Sequence, residues 1–179
     1  GFSLSQMAIL VRSNKDAVLV AESLLNYKCE HADSKYRYDI ISNEALLVAN
    51  AQSVKAAIAI LRHFQNPADE TRRLMAMYEL VRFHRAMTPG EALAFCNDPA
   101  NAEALDEMGA RLTHISQLPL YESVEAFFAM SSEAMNENEN AFVQAFLDSV
   151  LKFSADASSD LNSFLEWWNE ESQSLTLFS

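Results

Sequence analysis

The sequence predicts a mostly α-helical chain that begins with a small βαβ element and continues as a helical subdomain. Met7 to Val11 is a continuous apolar run of strand length, which suits a strand covered on both faces. Tyr36 to Ile41 is a second strand candidate, rich in aromatic and β-branched residues. From Ala51 to Trp168 the apolar residues recur at helical spacing. The 179 residues, 50% of them hydrophobic, can bury a sizeable core in one or two domains.

A helix is expected between the two strand candidates. Ser13 can cap its N-terminus with Asp16 three residues later. The apolar residues that follow at helical spacing are Ala17, Val20, Ala21, Leu24 and Leu25. Arg12 stands at the carboxyl end of the first strand candidate, where ligands of open α/β sheets sit. We therefore expect Arg12 to lie where it can contact a phosphate group of a ligand.

The next segment predicts two helices separated by a turn. The first helix runs from about Ala51 to Gln65. Asn66-Pro67-Ala68-Asp69 ends it and starts another, with Asn66 as the cap and Pro67 at the first helical position. The apolar residues expected to line this further helix are Leu74, Met77, Tyr78 and Val81.

The remainder of the chain predicts helices and then a short strand-like tail. Thr88-Pro89-Gly90-Glu91 is a capping box. Further helices are indicated around Ala102 to Thr113, around Leu120 to Met130, after a polar turn at residues 136–140, and after a cap at Ser158 or Ser159. Leu175 to Phe178 is typical of the opening of a strand.

The charge is distributed unevenly along the chain, whose net charge is −12. Residues 1–85 hold 11 of the 13 Lys and Arg and 9 of the 25 Asp and Glu, a net charge of +2, whereas residues 86–179 carry a net charge of −14. This asymmetry predicts a domain boundary near Arg85, with one domain over residues 1–85 and a second over 86–179.

Several classes of site are excluded by composition. The three glycines, Gly1, Gly90 and Gly109, form neither a GxxxxGK[ST] phosphate loop nor a GxGxxG fingerprint, so the chain by itself is no complete ATPase of the usual kinds. Two cysteines and four histidines argue against a disulfide framework and a zinc cluster, so no metal site is expected. Cys29-Glu30-His31 is a metal candidate, against the alternative of a buried thiol beside a loop histidine.

The chain is expected to be cytoplasmic and to have no membrane partner. No stretch approaches ~18 apolar residues without a charge, and residues 1–20 lack the segments of a signal peptide.

Four segments together resemble the UvrD/RecB type of superfamily 1 DNA helicases, most closely AddA-like helicase-nuclease subunits. They are "MAILVRSNKDAVLVAESLL", "YDIISNEALLVANAQSVKAAIAILRHFQNPAD", "AFVQAFLDSVLKF" and "LNSFLEWWNEES". The resemblance implies that residues 1–85 are the N-terminal part of a second RecA-like helicase domain. It also implies that residues 86–179 are a helical accessory insertion, and that the chain is a fragment of a longer protein.

The resemblance assigns the catalytic and cofactor-binding role to Arg12. This residue would contact the γ-phosphate of ATP, which the parent binds with Mg²⁺ on a first RecA-like domain outside this chain. The implied partners are the rest of the helicase polypeptide, DNA bound through the parent, and a nuclease subunit, while the fragment alone would bind no cofactor. The alternative for Arg12 is an ordinary exposed arginine at a strand end.

Two further expectations concern DNA and self-association. Arg72 and Arg73 are candidates for contact with DNA phosphate, against the alternative that they balance Asp69, Glu70 and Glu79. A sheet without its later strands would expose an edge, onto which the tail "SLTLF" folds back or through which two copies form a dimer. An alternative function of a different class is a free-standing acidic α-helical module that binds a protein partner, in which Arg12 is structural.

Overall fold

In a computed structural model of the chain, the described residues are 7, 9–12, 20, 23, 27, 47–135, 137–156 and 160–176. The chain divides into two compact units, Gly1–Ala45 and Leu46–Ser179. The described part of the second unit is built almost entirely of helices. This confirms the prediction of a mostly α-helical chain.

The N-terminal βαβ prediction is not supported by the described residues of the first unit. Met7, Ile9, Leu10 and Val11 belong to no strand, and their side chains are exposed, that of Leu10 by 95%. A strand is held by hydrogen bonds to a neighbouring strand, and the described residues of this unit include none that supplies them. The expected buried strand is therefore corrected to an exposed apolar segment.

The helix predicted after Ser13 is consistent with the helical conformation of Val20, Ser23 and Tyr27. The second strand candidate, Tyr36 to Ile41, lies outside the described residues. So does the metal candidate Cys29-Glu30-His31.

Seven α-helices make up most of the described second unit. In chain order they are α1 (Gln52–Gln65), α2 (Glu70–Arg85), α3 (Pro89–Asn97), α4 (Ala102–Ile115), α5 (Leu120–Met130), α6 (Glu137–Asp156) and α7 (Leu161–Glu171). Short 3-10 helices occupy Val48–Asn50, Pro99–Asn101 and Ser132–Ala134. Among the helices that the structure describes, none is long and apolar enough to cross a bilayer.

Helix α1 is the centre of this unit and packs against α2, α6 and α7. Residues 53, 54 and 56–61 are all buried, so the helix is covered on nearly every side. One hydrophobic core extends from Val48 to Trp168. Helices on both sides of the boundary predicted near Arg85 contribute to this core.

The helix starts depend on which side chain accepts the free amide N–H groups. Asp69 caps α2 by accepting from the Thr71 and Arg72 amides at 2.9 and 3.2 Å. The predicted cap at Asn66 is wrong, because a carboxylate that satisfies two amides fixes the start at Glu70. The capping box before α3 is confirmed.

The last two helices begin at places other than those predicted. Helix α6 starts at Glu137, within the polar run predicted as a turn. Asp160 caps α7 by accepting from the Ser163 amide at 3.0 Å, whereas the predicted caps Ser158 and Ser159 lie outside the described residues. The aromatic side chains of these helices form the core, with Phe146 and Trp168 edge to face at 4.9 Å between ring centroids.

The tail folds back onto the entrance of the helical unit. Thr176 forms an antiparallel bridge with Leu47, and the Val48 amide donates to the Leu175 carbonyl at 3.0 Å. The chain therefore enters and leaves this unit at adjacent positions.

Candidate functional site

Arg12 belongs to the first unit, where it is exposed directly after the exposed apolar segment. Its guanidinium is accessible to a ligand or to another protein domain. Its assignment to the γ-phosphate of ATP stays a prediction.

Arg72 and Arg73 lie side by side on α2 and are held by acidic neighbours. The Arg72 Nε lies 3.5 Å from Asp69 Oδ2, and the Arg73 Nη1 lies 3.7 Å from Glu70 Oε2. Arg73 also pairs with Asp106 of α4. Nearby carboxylates therefore balance the charges of Arg72 and Arg73, as the alternative to DNA contact expected. Such partly exposed ion pairs stabilise a protein only weakly.

A groove of about 370 Å³ lies between α1, α2 and α7. Its wall carries three basic side chains, those of Lys55, Arg62 and Arg72. We call it the cationic groove. Its apolar lining consists of Ala49, Val54, Ile58, Ala59, Met75 and Trp168.

The cationic groove contrasts with the charge of the unit that forms it. Residues 46–179 hold 8 Lys and Arg against 19 Asp and Glu, a net charge of −11. Arg62 donates through Nη2 to Asn169 Oδ1 at 2.9 Å, and Arg72 donates through Nη1 to the Arg62 carbonyl at 3.0 Å. The Lys55 ammonium forms no hydrogen bond or ion pair with any residue that the structure describes. This ammonium is therefore open to a ligand.

Comparison of the chain with protein-family models, with curated proteins and with solved structures finds no match.

Lys55 and Arg62 were not singled out by the sequence interpretation, although a signal for them is present. They stand seven residues apart, and the six residues between them are all apolar. Seven residues make about two turns, so both side chains leave α1 on the same side. The position of Arg72 beside them depends on the packing of α2 on α1, which the local pattern does not specify.

A second groove of about 370 Å³ between α2, α3 and α4 has no comparable open charge. Arg73 lines it and pairs with both Glu70 and Asp106, which line it too. Burial raises the pKa of the Cys96 thiol there, which keeps it protonated and poorly nucleophilic.

His84 and Ser131 form a contact that resembles a base and a hydroxyl nucleophile. The His84 Nε2 lies 2.9 Å from Ser131 Oγ. Burial, and then the positive charge of Arg111, lowers the pKa of His84. Ser131 is only 1% exposed, however, so a substrate could not reach its hydroxyl. The contact therefore stabilises the fold where α2 meets the end of α5.

Within residues 47–135, 137–156 and 160–176, no three His, Cys, Asp or Glu side chains are grouped so that they could hold a metal ion.

Proposed function

We propose that this chain is part of an ATP-dependent DNA helicase or helicase-nuclease of the UvrD/RecB type, acting in DNA unwinding and double-strand break repair. The observation that carries the proposal is an exposed arginine, Arg12, directly after an apolar run and before a helix. The turn Asn66-Pro67-Ala68-Asp69 then follows at the distance typical of the family, between α1 and α2.

In this proposal Arg12 acts on ATP that another domain of the parent holds together with Mg²⁺. Phosphoryl transfer develops negative charge on the equatorial oxygens of the γ-phosphate. A guanidinium suits these oxygens because it is always charged and presents a planar fork of donors. Arginines in this role accelerate hydrolysis by ~10³ to 10⁵-fold.

The same proposal accounts for the exposed apolar segment before Arg12. Met7, Ile9 and Leu10 are 61%, 61% and 95% exposed, which is unfavourable for three apolar side chains so close in sequence. As the first strand of a RecA-like domain, this segment would pair with strands of the parent's sheet. Pairing would bury these side chains and place Arg12 at the carboxyl edge of the sheet.

The helical unit has the connectivity that an insertion needs. A subdomain inserted into another domain must enter and leave at neighbouring points. The Val48 amide bonds to the Leu175 carbonyl at 3.0 Å, so these two points are joined directly. These neighbouring points bound the whole helical unit, so the insertion that they support contains α1 and α2 together with residues 86–179.

A second candidate function is an acidic helical module that binds a protein partner, with Arg12 structural. The net charge of −11 over residues 46–179 favours it, because such a surface repels nucleic acid and admits basic protein surfaces.

Sequencing of the genomic DNA around the coding segment separates the two candidates. The helicase proposal expects one open reading frame that encodes a GxxxxGK[ST] loop before this segment and a further helicase motif after it. A natural reading frame that encodes only this helical chain would overturn the proposal and favour the interaction module.

A further inference from the structure

We propose that the cationic groove binds an acidic peptide segment of a protein partner, with a carboxylate paired to Lys55 and a neighbouring apolar side chain placed against Met75. This site is independent of Arg12 and of the helicase proposal. It is built from α1, α2 and α7 alone.

The first step of the argument is the unpaired charge of Lys55. Its side chain is half-buried, and no described residue accepts a hydrogen bond from it. The aliphatic stem of a lysine can be partly buried while its ammonium stays in water and remains open to a ligand. A carboxylate in the groove would supply the missing acceptor through a charge-assisted hydrogen bond.

Among the other charges of the groove, Arg72 and Glu79 lie beside opposite charges, and Arg62 is bonded to a neutral amide. Arg72 lies 3.5 Å from Asp69, and Arg62 donates to Asn169 at 2.9 Å. Glu79 also lines the groove, but its Oε2 accepts from Gln52 at 2.6 Å and lies 3.4 Å from Arg82. A ligand carboxylate would therefore meet a net positive wall, with Lys55 as its direct partner.

The second step is the apolar lining beside these charges. Met75 is 50% exposed, while Ile58 and Trp168 are 6% and 4% exposed beneath it. The volume of about 370 Å³ is sufficient for a few side chains. A flexible thioether adapts its shape to an incoming apolar group, so Met75 is suited to contact different side chains.

A peptide fits this site better than a nucleic acid does. Binding to a phosphate backbone depends on several cations that each neutralise a phosphate, whereas this groove offers only two that are not paired with a carboxylate, Lys55 and Arg62. The surrounding unit carries a net charge of −11 and would repel a polyanion. A single carboxylate beside an apolar residue needs only one open cation and one apolar surface.

Fluorescence anisotropy with the 179-residue chain tests the proposal. The probe is a labelled, end-capped peptide in which a single Glu stands between Leu residues. The comparison ligands are the same peptide with Ser in place of Leu and a short single-stranded DNA. We expect saturable micromolar binding of the Glu-Leu peptide and at least tenfold weaker binding of both comparison ligands.

Matched variants locate the binding to the groove. Lys55→Glu and Met75→Gln are each expected to weaken the Glu-Leu peptide by about tenfold. Lys152→Glu and Leu151→Gln make comparable changes at exposed positions of α6 and should leave binding unchanged. Thermal unfolding of every variant verifies the fold, and Lys55→Met replaces Lys55→Glu if the latter does not fold.

Three results would overturn the proposal. They are an absence of saturable peptide binding, equal effects of the groove variants and their α6 controls, and DNA binding as tight as that of the Glu-Leu peptide. The last result would assign the groove to phosphate instead.

Discussion

At the scale of single residues, Glu139 of α6 caps the N-terminus of α1. The N-cap residue of α1, Ala51, has no side-chain acceptor. Glu139 Oε2 instead accepts from the Ser53 amide at 3.1 Å and from the Ser53 hydroxyl. Ser53 is fully buried, so without this carboxylate its donors would lose their partner. A residue 86 positions away thus fixes where the central helix begins.

Glu139→Gln should therefore destabilise the chain. A neutral amide is a weaker acceptor and loses the interaction with the helix dipole, so we expect the free energy of unfolding to fall by about 1–3 kcal/mol. Urea unfolding measures this change. Glu125→Gln, at an exposed position of α5, is the control and should change stability by less than about 0.5 kcal/mol. Equal stability of the two variants would show that Glu139 does not cap α1.

Two histidines predict a pH dependence of stability. Burial lowers the pKa of His63, with a contribution from Arg73, and burial lowers that of His84, with a contribution from Arg111. The unfolded chain then binds protons more readily than the folded chain. The stabilisation is complete above the ordinary histidine pKa of 6.5 and is lost as the pH falls through the lowered values.

His84→Gln should reduce the loss of stability between about pH 7 and pH 5, because it removes one of these titrating groups. Chemical denaturation at several pH values measures the slope, with the exposed His114→Gln as the control. An unchanged slope in the His84 variant would contradict the assignment.

At the scale of elements, the end of α2 carries backbone strain. Ala86 adopts φ 49° and ψ 35°, the left-handed conformation, as the C-cap of the helix. A Cβ in this conformation costs roughly 1 kcal/mol or more, a cost that glycine avoids. The strained position immediately follows Arg85, where the charge of the chain changes.

Ala86→Gly should raise the free energy of unfolding by up to about 1 kcal/mol, because relief of strain outweighs the greater entropy of the unfolded chain. Ala94→Gly, at an exposed position inside α3, should lower it by about 1 kcal/mol. Thermal unfolding of both variants provides the comparison. Destabilisation by Ala86→Gly as large as that by Ala94→Gly would contradict this account.

The elements that were predicted correctly are those specified by local pattern. Leu120 to Met130 matches α5 in full, and the Thr88 capping box before α3 is in place, because periodicity and capping act within a few residues. The start of α2 was misassigned because two local caps competed and Asp69 accepts two amides.

Long-range features were less accessible to sequence interpretation. The expected strand at Met7 to Val11 needs a partner strand, which an apolar run alone does not reveal. The cationic groove likewise needs α1, α2 and α7 to be packed together.

At the scale of the whole molecule, the tail closes the helical unit. Val48 is fully buried, and its amide depends on the Leu175 carbonyl at 3.0 Å. Deletion of residues 175–179 should lower the free energy of unfolding by about 1–3 kcal/mol through the unpaired amide, in addition to the loss of apolar contact. Leu175→Ala keeps the backbone and should cost less. Equal stability of the deletion and the full chain would show that the pairing is not stabilising.

The charge of the whole chain predicts its behaviour toward nucleic acid and nucleotide. With a net charge of −12, and with Arg72 and Arg73 paired to carboxylates, the isolated chain should bind neither duplex DNA nor ATP with useful affinity at physiological salt. Fluorescence anisotropy with labelled duplex DNA and labelled ATP measures both. Submicromolar binding of DNA would restore a direct role for the arginines of α2.

ATP turnover by the full-length parent with Arg12 replaced tests the central proposal most directly. Arg12→Ala should lower the steady-state rate by ~10³-fold or more while DNA binding without nucleotide is retained. Arg12→Lys should restore little of the rate, because an ammonium keeps the charge but lacks the planar fork of donors. A rate for Arg12→Ala within a few fold of the unmodified parent would contradict the assignment of Arg12 to the γ-phosphate.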